Sequence, residues 1–325
     1  MSVSVLIVDI HADIYADHLR HEFPDLPVHT AASVAELPDD LSAFDVLVAF
    51  GVSVDNDVLR RLHNLKWIQS LATGVDHFVR CPYLAPNVLI TSGRGIHGPM
   101  MREMAIFLML CLSHNVRRQV EDQKSHVWER RSWTLLYEKT AVVVGLGVSG
   151  GAIGELLNAL GMNVIGVTRT QREIHGFQSV MHTDRLIEAV GRADYLINVL
   201  PAIPENIGLF NRAVFAAMKP EAYFINVGRG ETIDEGALIE ALSARRIAGA
   251  ALDVFKTRPL PADSPLWDMP NVVITPHIGG YVAEYEDYVM PILIENMHHF
   301  LGCRLKEMRN LVDRAGSSTT RAPQG

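Results

Sequence analysis

"AVVVGLGVSGGAIGELLNALG", residues 141–161, constrains the fold of this chain more than any other stretch. A short apolar run ends in Gly145-x-Gly147-x-x-Gly150, and an amphipathic helical pattern follows at once. A GxGxxG alone carries little information. Set between an apolar strand and a helix, it is the turn by which a parallel α/β sheet lets its backbone approach a dinucleotide. Gly145 permits the tight turn, Gly147 admits a pyrophosphate to the backbone, and Gly150 lets the helix close on the strand. The N–H groups of Val148 and Ser149 then point at phosphate from a helix N-terminus. The competing reading is a purely structural glycine turn in some other α/β protein.

The rest of the chain has the alternation that such a turn requires. "VSVLIVDI", "DVLVAF", "LKWIQSL" and "NVLIT" read as strands in the first hundred residues; "AVVVGLG", "MNVIGV", "DYLINVL", "EAYFINV", "IAGAALDV" and "NVVITPH" follow later. Helical stretches such as "DEGALIEALSAR" lie between them. Strands alternating with helices predict α/β architecture, with parallel sheets covered on both faces. A long helix from about residue 99 to 115 separates the two sets of strands, and a polar arm, "RRQVEDQKSHVWERRSW", follows it. A last helical pattern, about 282 to 301, comes after the final strand and can return to the first domain. With 325 residues, 48% of them apolar, two domains are expected rather than one.

Charge and cysteine usage exclude several classes. There are 29 basic against 37 acidic residues, a net charge of −8, which argues against nucleic acid as a partner. A small anionic substrate needs only one or two placed arginines and stays open. Cys81, Cys111 and Cys303 are odd in number and far apart, so neither a disulfide framework nor a metal site is expected, and the compartment reads as reducing and cytoplasmic. The start, "MSVSVLIVDIHAD", reads as a first strand and not as a signal peptide. "MAIFLMLCLSHN", from Met104, has about half of the ~20 residues that a membrane span needs and reads as a buried helix. The tail from Arg314, "RAGSSTTRAPQG", has the composition of a disordered segment.

The strand after the glycine loop bears on the cofactor. A site for NAD usually ends this strand with a carboxylate on the ribose hydroxyls. Here Thr168, Arg169 and Thr170 stand in its place, and no acid follows until Glu173. An arginine can pair with a 2′-phosphate that a carboxylate would repel. NADP(H) is therefore favoured; NAD(H), with Arg169 merely solvated, is the alternative.

"FINVGRGETIDEGALIEALSARRIAGAALDVF", "PNVVITPHIGG", "LPAIPENIGLFNRAVFAAMKP" and "SLATGVDHFV", in this order around the glycine loop, resemble the D-isomer-specific 2-hydroxyacid dehydrogenases of the glyoxylate/hydroxypyruvate reductase kind. The resemblance covers nearly the whole chain. It implies two Rossmann-like parallel-sheet domains: a flavodoxin-like substrate-binding domain of residues 1–98 and 282–325, and an NAD(P)-binding domain of residues 99–281, with the active site between them. It implies that Arg229 holds the 2-oxo acid, a role that a rigid guanidinium fork suits, and that His277 is the general acid/base. It assigns the substrate carboxylate to the backbone of Ala72, Thr73, Gly74 and Val75. It places Val199, Leu200, Pro201, Val227, Asp253 and Gly279 on the cofactor, and it implies a homodimer. Taken alone, an Arg-Gly after a strand is often a salt-bridged turn, and a histidine after proline is often structural.

One position departs from the family. The resemblance implies a glutamate immediately before the proline in "KTRPLP", bonded to the far nitrogen of the histidine; this chain has Arg258. A cation cannot accept an N–H bond from imidazole. Three readings follow. Arg258 turns to solvent and Glu284 or Glu286 serves His277; or the histidine works unpartnered and slowly; or turnover is lost and a dinucleotide-sensing or scaffold protein remains. His298 and His299 read as a surface pair without further metal ligands. His97 is either a substrate contact or a hinge residue, and Trp128 and Trp133 either a subunit contact or intrachain core. The expected activity is NADP(H)-preferring reduction of small 2-oxo acids to D-2-hydroxy acids. Phosphoglycerate oxidation is less expected, because the chain ends before any regulatory domain and nothing marks a phosphate pocket.

Overall fold

A computed structural model of the protein describes residues 3–170 and 173–314; most of the polar tail lies outside the described residues. The chain divides into two compact units. One runs to Ile96 and resumes from Ala283, and the other is His97–Val282.

The first unit holds a parallel sheet of β1 (Val5–Val8), β2 (Val28–Ala31), β3 (Val46–Ala49), β4 (Trp67–Ser70) and β5 (Leu89–Thr91), in the order β2-β1-β3-β4-β5. This is the flavodoxin-like winding. The helix Tyr285–Leu301 completes the unit. Its Asn296 donates to Gln69 Oε1 at 2.9 Å, and its Tyr285 hydroxyl donates to the Leu71 carbonyl at 2.7 Å. Gln69 Oε1 also accepts from Thr91 Oγ1, which in turn accepts from the Trp67 indole, so the buried polar groups at the centre of the sheet are all partnered.

The second unit holds β6 (Thr140–Val144), β7 (Asn163–Thr168), β8 (Ser179–His182), β9 (Tyr195–Asn198), β10 (Tyr223–Asn226), β11 (Gly249–Leu252) and β12 (Val272–Ile274). Their order is β12-β11-β10-β9-β6-β7-β8, with every pairing parallel. Successive side chains feed two apolar layers. Val142, Val144, Leu196, Phe224 and Leu252 enter one, while Ala141, Val143, Ile197, Ile225 and Ala251 enter the other. The helix Gly98–Ser113 closes the second layer with Met101, Met104, Ala105, Leu108 and Met109. No helix among the described residues is long and apolar enough to cross a membrane.

Two strands escaped the sequence reading, β2 and β8. Both are sheet edges. Their sequences, VHTA and SVMH, are largely uncovered, unlike the fully buried VLVA of β3 or YLIN of β9. A strand with one neighbour and one open face need not be a continuous apolar run, so composition does not mark it. The arm after the long helix also begins with regular structure, the helix Val116–Lys124.

Candidate active site

The sheet order of the second unit reverses beside β6, whose neighbours are β7 and β9. A doubly wound sheet opens its ligand crevice at that point, outside the carboxyl ends of the strands. The glycine loop lies there. Gly145 has φ +100°, and a Cβ on it would stand 3.0 Å from Leu200 Cδ2 and 3.2 Å from the Val199 carbonyl carbon. A Cβ on Gly150 would lie 1.9 Å from the Gly145 carbonyl oxygen, so only glycine lets the helix Val148–Ala159 start so close to the strand. A Cβ on Gly147 would meet nothing within 4 Å, and no side chain caps the helix that follows. An open backbone cradle at an uncapped helix N-terminus fits a pyrophosphate, with Val148 and Ser149 as the donors. Further along the same edge Thr168 is half-buried, while Arg169 and Thr170 are exposed.

A buried polar network joins this loop to Arg229. Asn198 ends β9 and donates to Asn226 Oδ1 at 2.8 Å and to Thr232 Oγ1 at 2.7 Å. Its own Oδ1 accepts from the Leu200 backbone N–H. Asn226 ends β10, accepts from Gly228 N–H at 3.1 Å and donates to the Arg229 carbonyl, which the Thr232 hydroxyl also reaches at 2.6 Å. All three side chains are fully buried. The backbone on either side of Arg229 is thus tied to the loop carrying Val199, Leu200 and Pro201. The sequence reading missed these three residues. Their signal is an asparagine closing each of two apolar strands, "YLIN" and "YFIN".

Arg229 follows β10, is half-buried, and donates from Nη1 to the Gly228 carbonyl at 2.7 Å. His277 lies in the turn after β12 with φ +59°, a left-handed conformation that a non-glycine residue adopts only when its surroundings impose it. Asp253, at the end of β11, imposes it. Its Oδ1 accepts from the Thr275 hydroxyl at 2.6 Å and from Ile278 N–H at 2.9 Å, and its Oδ2 from Gly279 N–H at 3.0 Å. A Cβ on Gly279 would stand 3.0 Å from Asp253 Oδ2 and 3.1 Å from Met104, so glycine suits that position. Asp253 therefore acts first as the anchor of the histidine turn.

Arg258 does not turn away from the histidine. Its Nη1 is 3.2 Å from His277 Nδ1, and its Nη2 is 4.0 Å from Glu231 Oε1. This corrects the part of the first reading above that turned Arg258 to solvent. Within this unit the carboxylates that act on the ring are Asp253 and Glu231. Removal from water lowers the His277 pKa, Arg229 and Arg258 lower it further, and Asp253 and Glu231 pull it back up. The residue as a whole is exposed, but its ring is partly withdrawn from water among these charges. His97 joins the same neighbourhood: burial and Arg229 lower its pKa, and a Cβ on Gly280 would lie 3.0 Å from its Cδ2.

In the first unit the loop after β4 carries Ala72, Thr73, Gly74 and Val75. Ser70 shapes it, its Oγ accepting from Ala72 N–H at 3.2 Å and lying 3.4 Å from the Gly74 carbonyl. Gly93 packs behind, where a Cβ would meet the Leu71 carbonyl oxygen at 2.4 Å. Among the described residues no group of histidine, cysteine or acidic side chains could hold a metal ion. His298 and His299 face Glu22 at 3.0 Å and Glu307 at 3.6 Å. On the arm Trp128 is 95% exposed, and Trp133 stacks on His114 with ring centroids 4.0 Å apart.

Residues 106–279 match the model of the D-isomer specific 2-hydroxyacid dehydrogenase NAD binding domain, and residues 5–78 match that of the catalytic domain. The chain belongs to the D-isomer specific 2-hydroxyacid dehydrogenase family. It is 31% identical over 310 residues to a D-3-phosphoglycerate dehydrogenase of Methanocaldococcus jannaschii, covering 94% of this chain and 59% of that protein. It thus spans little more than half the length of that relative. A crystal structure of a family protein from Aeromonas salmonicida matches with a TM-score of 0.89 at 31% identity, covering 97% of this chain and all of that one. An NADPH-dependent glyoxylate/hydroxypyruvate reductase from Sinorhizobium meliloti, in complex with NADP and sulfate, matches with a TM-score of 0.81 at 30% identity, covering 96% and 99%.

Proposed function

We propose that the protein is an NADP(H)-preferring reductase of small 2-oxo acids of the glyoxylate or hydroxypyruvate kind, giving D-2-hydroxy acids. The observation that carries this reading is that Arg229 and His277 stand on strand-end turns at the same edge of the unit that bears the glycine loop, after β10 and β12 with β11 between them, and act on each other's charge. The cofactor site is the cradle of Gly145, Gly147, Val148, Ser149 and Gly150 with Val199, Leu200, Pro201 and Val227. Thr168, Arg169 and Thr170 meet a 2′-phosphate, and Gly279 borders the nicotinamide. When bound, the nicotinamide supplies the hydride. Arg229 receives the substrate's carboxylate and carbonyl oxygen and stabilises the charge that grows on that oxygen. His277 delivers a proton to the same oxygen. In the first unit, the backbone of the Ala72–Val75 loop is the carboxylate-binding segment, pre-shaped by Ser70. The NADP in the Sinorhizobium reductase and the missing acid after β7 both support the choice of NADP(H). The exposed Trp128 and Trp133 support a homodimer formed through the arm, and unpaired cysteines support a reducing compartment, the cytoplasm.

Steady-state assays with glyoxylate, hydroxypyruvate, phenylpyruvate and 3-phosphohydroxypyruvate, each with NADPH and NADH, test the proposal. Turnover of the small acids with NADPH supports it. Turnover confined to the phosphorylated acid would transfer the activity of the phosphoglycerate dehydrogenases to this chain. Tight NADPH binding with no turnover would leave a dinucleotide sensor, a second reading that the placing of Arg258 against His277 favours.

A further inference from the structure

The charges around His277 form a chain of three and not a pair. Arg258 reaches Nδ1 of His277 with one nitrogen, at 3.2 Å, and approaches Oε1 of Glu231 with another, at 4.0 Å. The second carboxylate oxygen of Glu231, Oε2, is buried and has no hydrogen-bond partner among the described residues. A guanidinium has five donors and no acceptor. Its bond to Nδ1 lasts only while that nitrogen keeps its lone pair, so the neutral ring must carry its proton on Nε2. Once Nδ1 is protonated the contact sets two cations against each other. The guanidinium then has a nearby place of opposite charge, because a 4.0 Å approach to Glu231 is well short of the ~2.7–2.9 Å of a closed charge-assisted bond. Half of the Arg258 side chain and a third of that of Glu231 are open to solvent, which leaves room for the swing.

We propose that Arg258 is a positioning residue with two resting places: it holds neutral His277 with the proton on Nε2, and it moves onto Glu231 when the ring takes a second proton at Nδ1. The inference rests on the reading of His277 as the proton carrier and adds the group that decides when the ring is charged. Reduction puts a hydride on the carbonyl carbon and one proton on its oxygen. That proton leaves Nε2 of the doubly protonated ring, which becomes neutral with its remaining proton on Nδ1. Exchange with solvent at this exposed residue returns the proton to Nε2 and Arg258 to Nδ1. The charged groups that act on the ring are Arg229 and Glu231 after β10 and Asp253 and Arg258 after β11, with His97 beside Arg229. Asp253 is fixed by its three donors and Arg229 is tied to the Gly228 carbonyl, so Arg258 and Glu231 are the pair with freedom to move.

The test reads the ring and not the turnover. Nitrogen-15 NMR of the imidazoles of the whole protein without substrate, with the His277 signals assigned by their loss in His277→Gln, gives both the tautomer and the pKa. In the neutral wild-type ring Nδ1 is expected bare and Nε2 protonated. Arg258→Glu should place the neutral proton on Nδ1 and raise the ring's pKa by roughly 1–3 units, since an acceptor of opposite charge replaces a cation. Arg258→Met, which removes the donor and adds no charge, should leave the two tautomers mixed. Glu231→Gln should move the pKa the other way, downward, because the protonated state loses its parking place for Arg258. A wild-type ring with its neutral proton on Nδ1, or ring states that Arg258→Glu and Glu231→Gln leave unmoved or shift in one direction, would overturn the switch. An inactive protein with the expected ring states would support the switch and sink only the reductase reading.

Discussion

The glycine loop and the corner around His277 are held by opposite kinds of force. At the loop the constraint is steric: a Cβ on Gly150 would lie 1.9 Å from a backbone oxygen. No rearrangement of charge can relieve that. At the corner the constraint is electrostatic. Two cations and two carboxylates act on one imidazole, and one of the cations, Arg258, stands where the family resemblance leads one to expect a carboxylate. The difference teaches which part can drift. A steric site admits one residue type, whereas a charge cluster can exchange signs and still hold its ring, provided that its partners change roles. Glu231, five residues from a buried asparagine of the nucleotide-side network, is where this chain keeps a carboxylate within reach of Arg258.

The largest effect should come from the corner. His277→Gln should lower the reductive rate by roughly 10²–10⁴-fold, and Arg229→Ala by a similar factor. NADPH affinity, followed by nucleotide fluorescence, should change little in either variant; a parallel loss of affinity would show that corner and loop are one unit. Next in size is Gly150→Ala, which should lower stability to urea by about 1–3 kcal/mol and weaken NADPH binding. Gly147→Ala, with open space at its Cβ, should leave the fold unaffected, and equal damage from both would break the steric account. Arg169→Ala should weaken NADPH by about tenfold or more while leaving NADH almost alone. The smallest effect lies in the network joining the two regions. Thr232→Val leaves buried partners unmet and should cost about 1–2 kcal/mol in urea denaturation, with Thr232→Ser restoring most of it.

Much of this was legible in the chain. The strands buried on both faces read as continuous apolar runs, and the glycine spacing placed the crevice, because a requirement for no side chain leaves a mark at one position. The edges β2 and β8 left no such mark, since half-exposed strands tolerate histidine, threonine and serine. The expected roles of Arg229 and His277 come from the family resemblance, because a strand-end arginine or histidine taken alone reads as structural. Glu231 was not legible: its part depends on Arg258 approaching from a loop almost thirty residues later, and an acid in "GRGETIDE" looks like any solvated acid. Ser70, Asn198, Asn226 and Thr232 escaped for another reason. They are uncharged and act on backbone, and a polar residue ending an apolar strand becomes meaningful only when the neighbouring strand end is known.

The most direct test of the central claim is the pH dependence of NADPH-driven glyoxylate reduction. On the proposed mechanism the acting group is the protonated ring, so the rate should be full below its pKa and fall as pH rises through it. Because neighbouring cations and loss of water lower that pKa, the fall should centre below the ordinary histidine value of about 6.5. A rate independent of pH through this range, or a fall that persists unchanged in His277→Gln, would contradict the account.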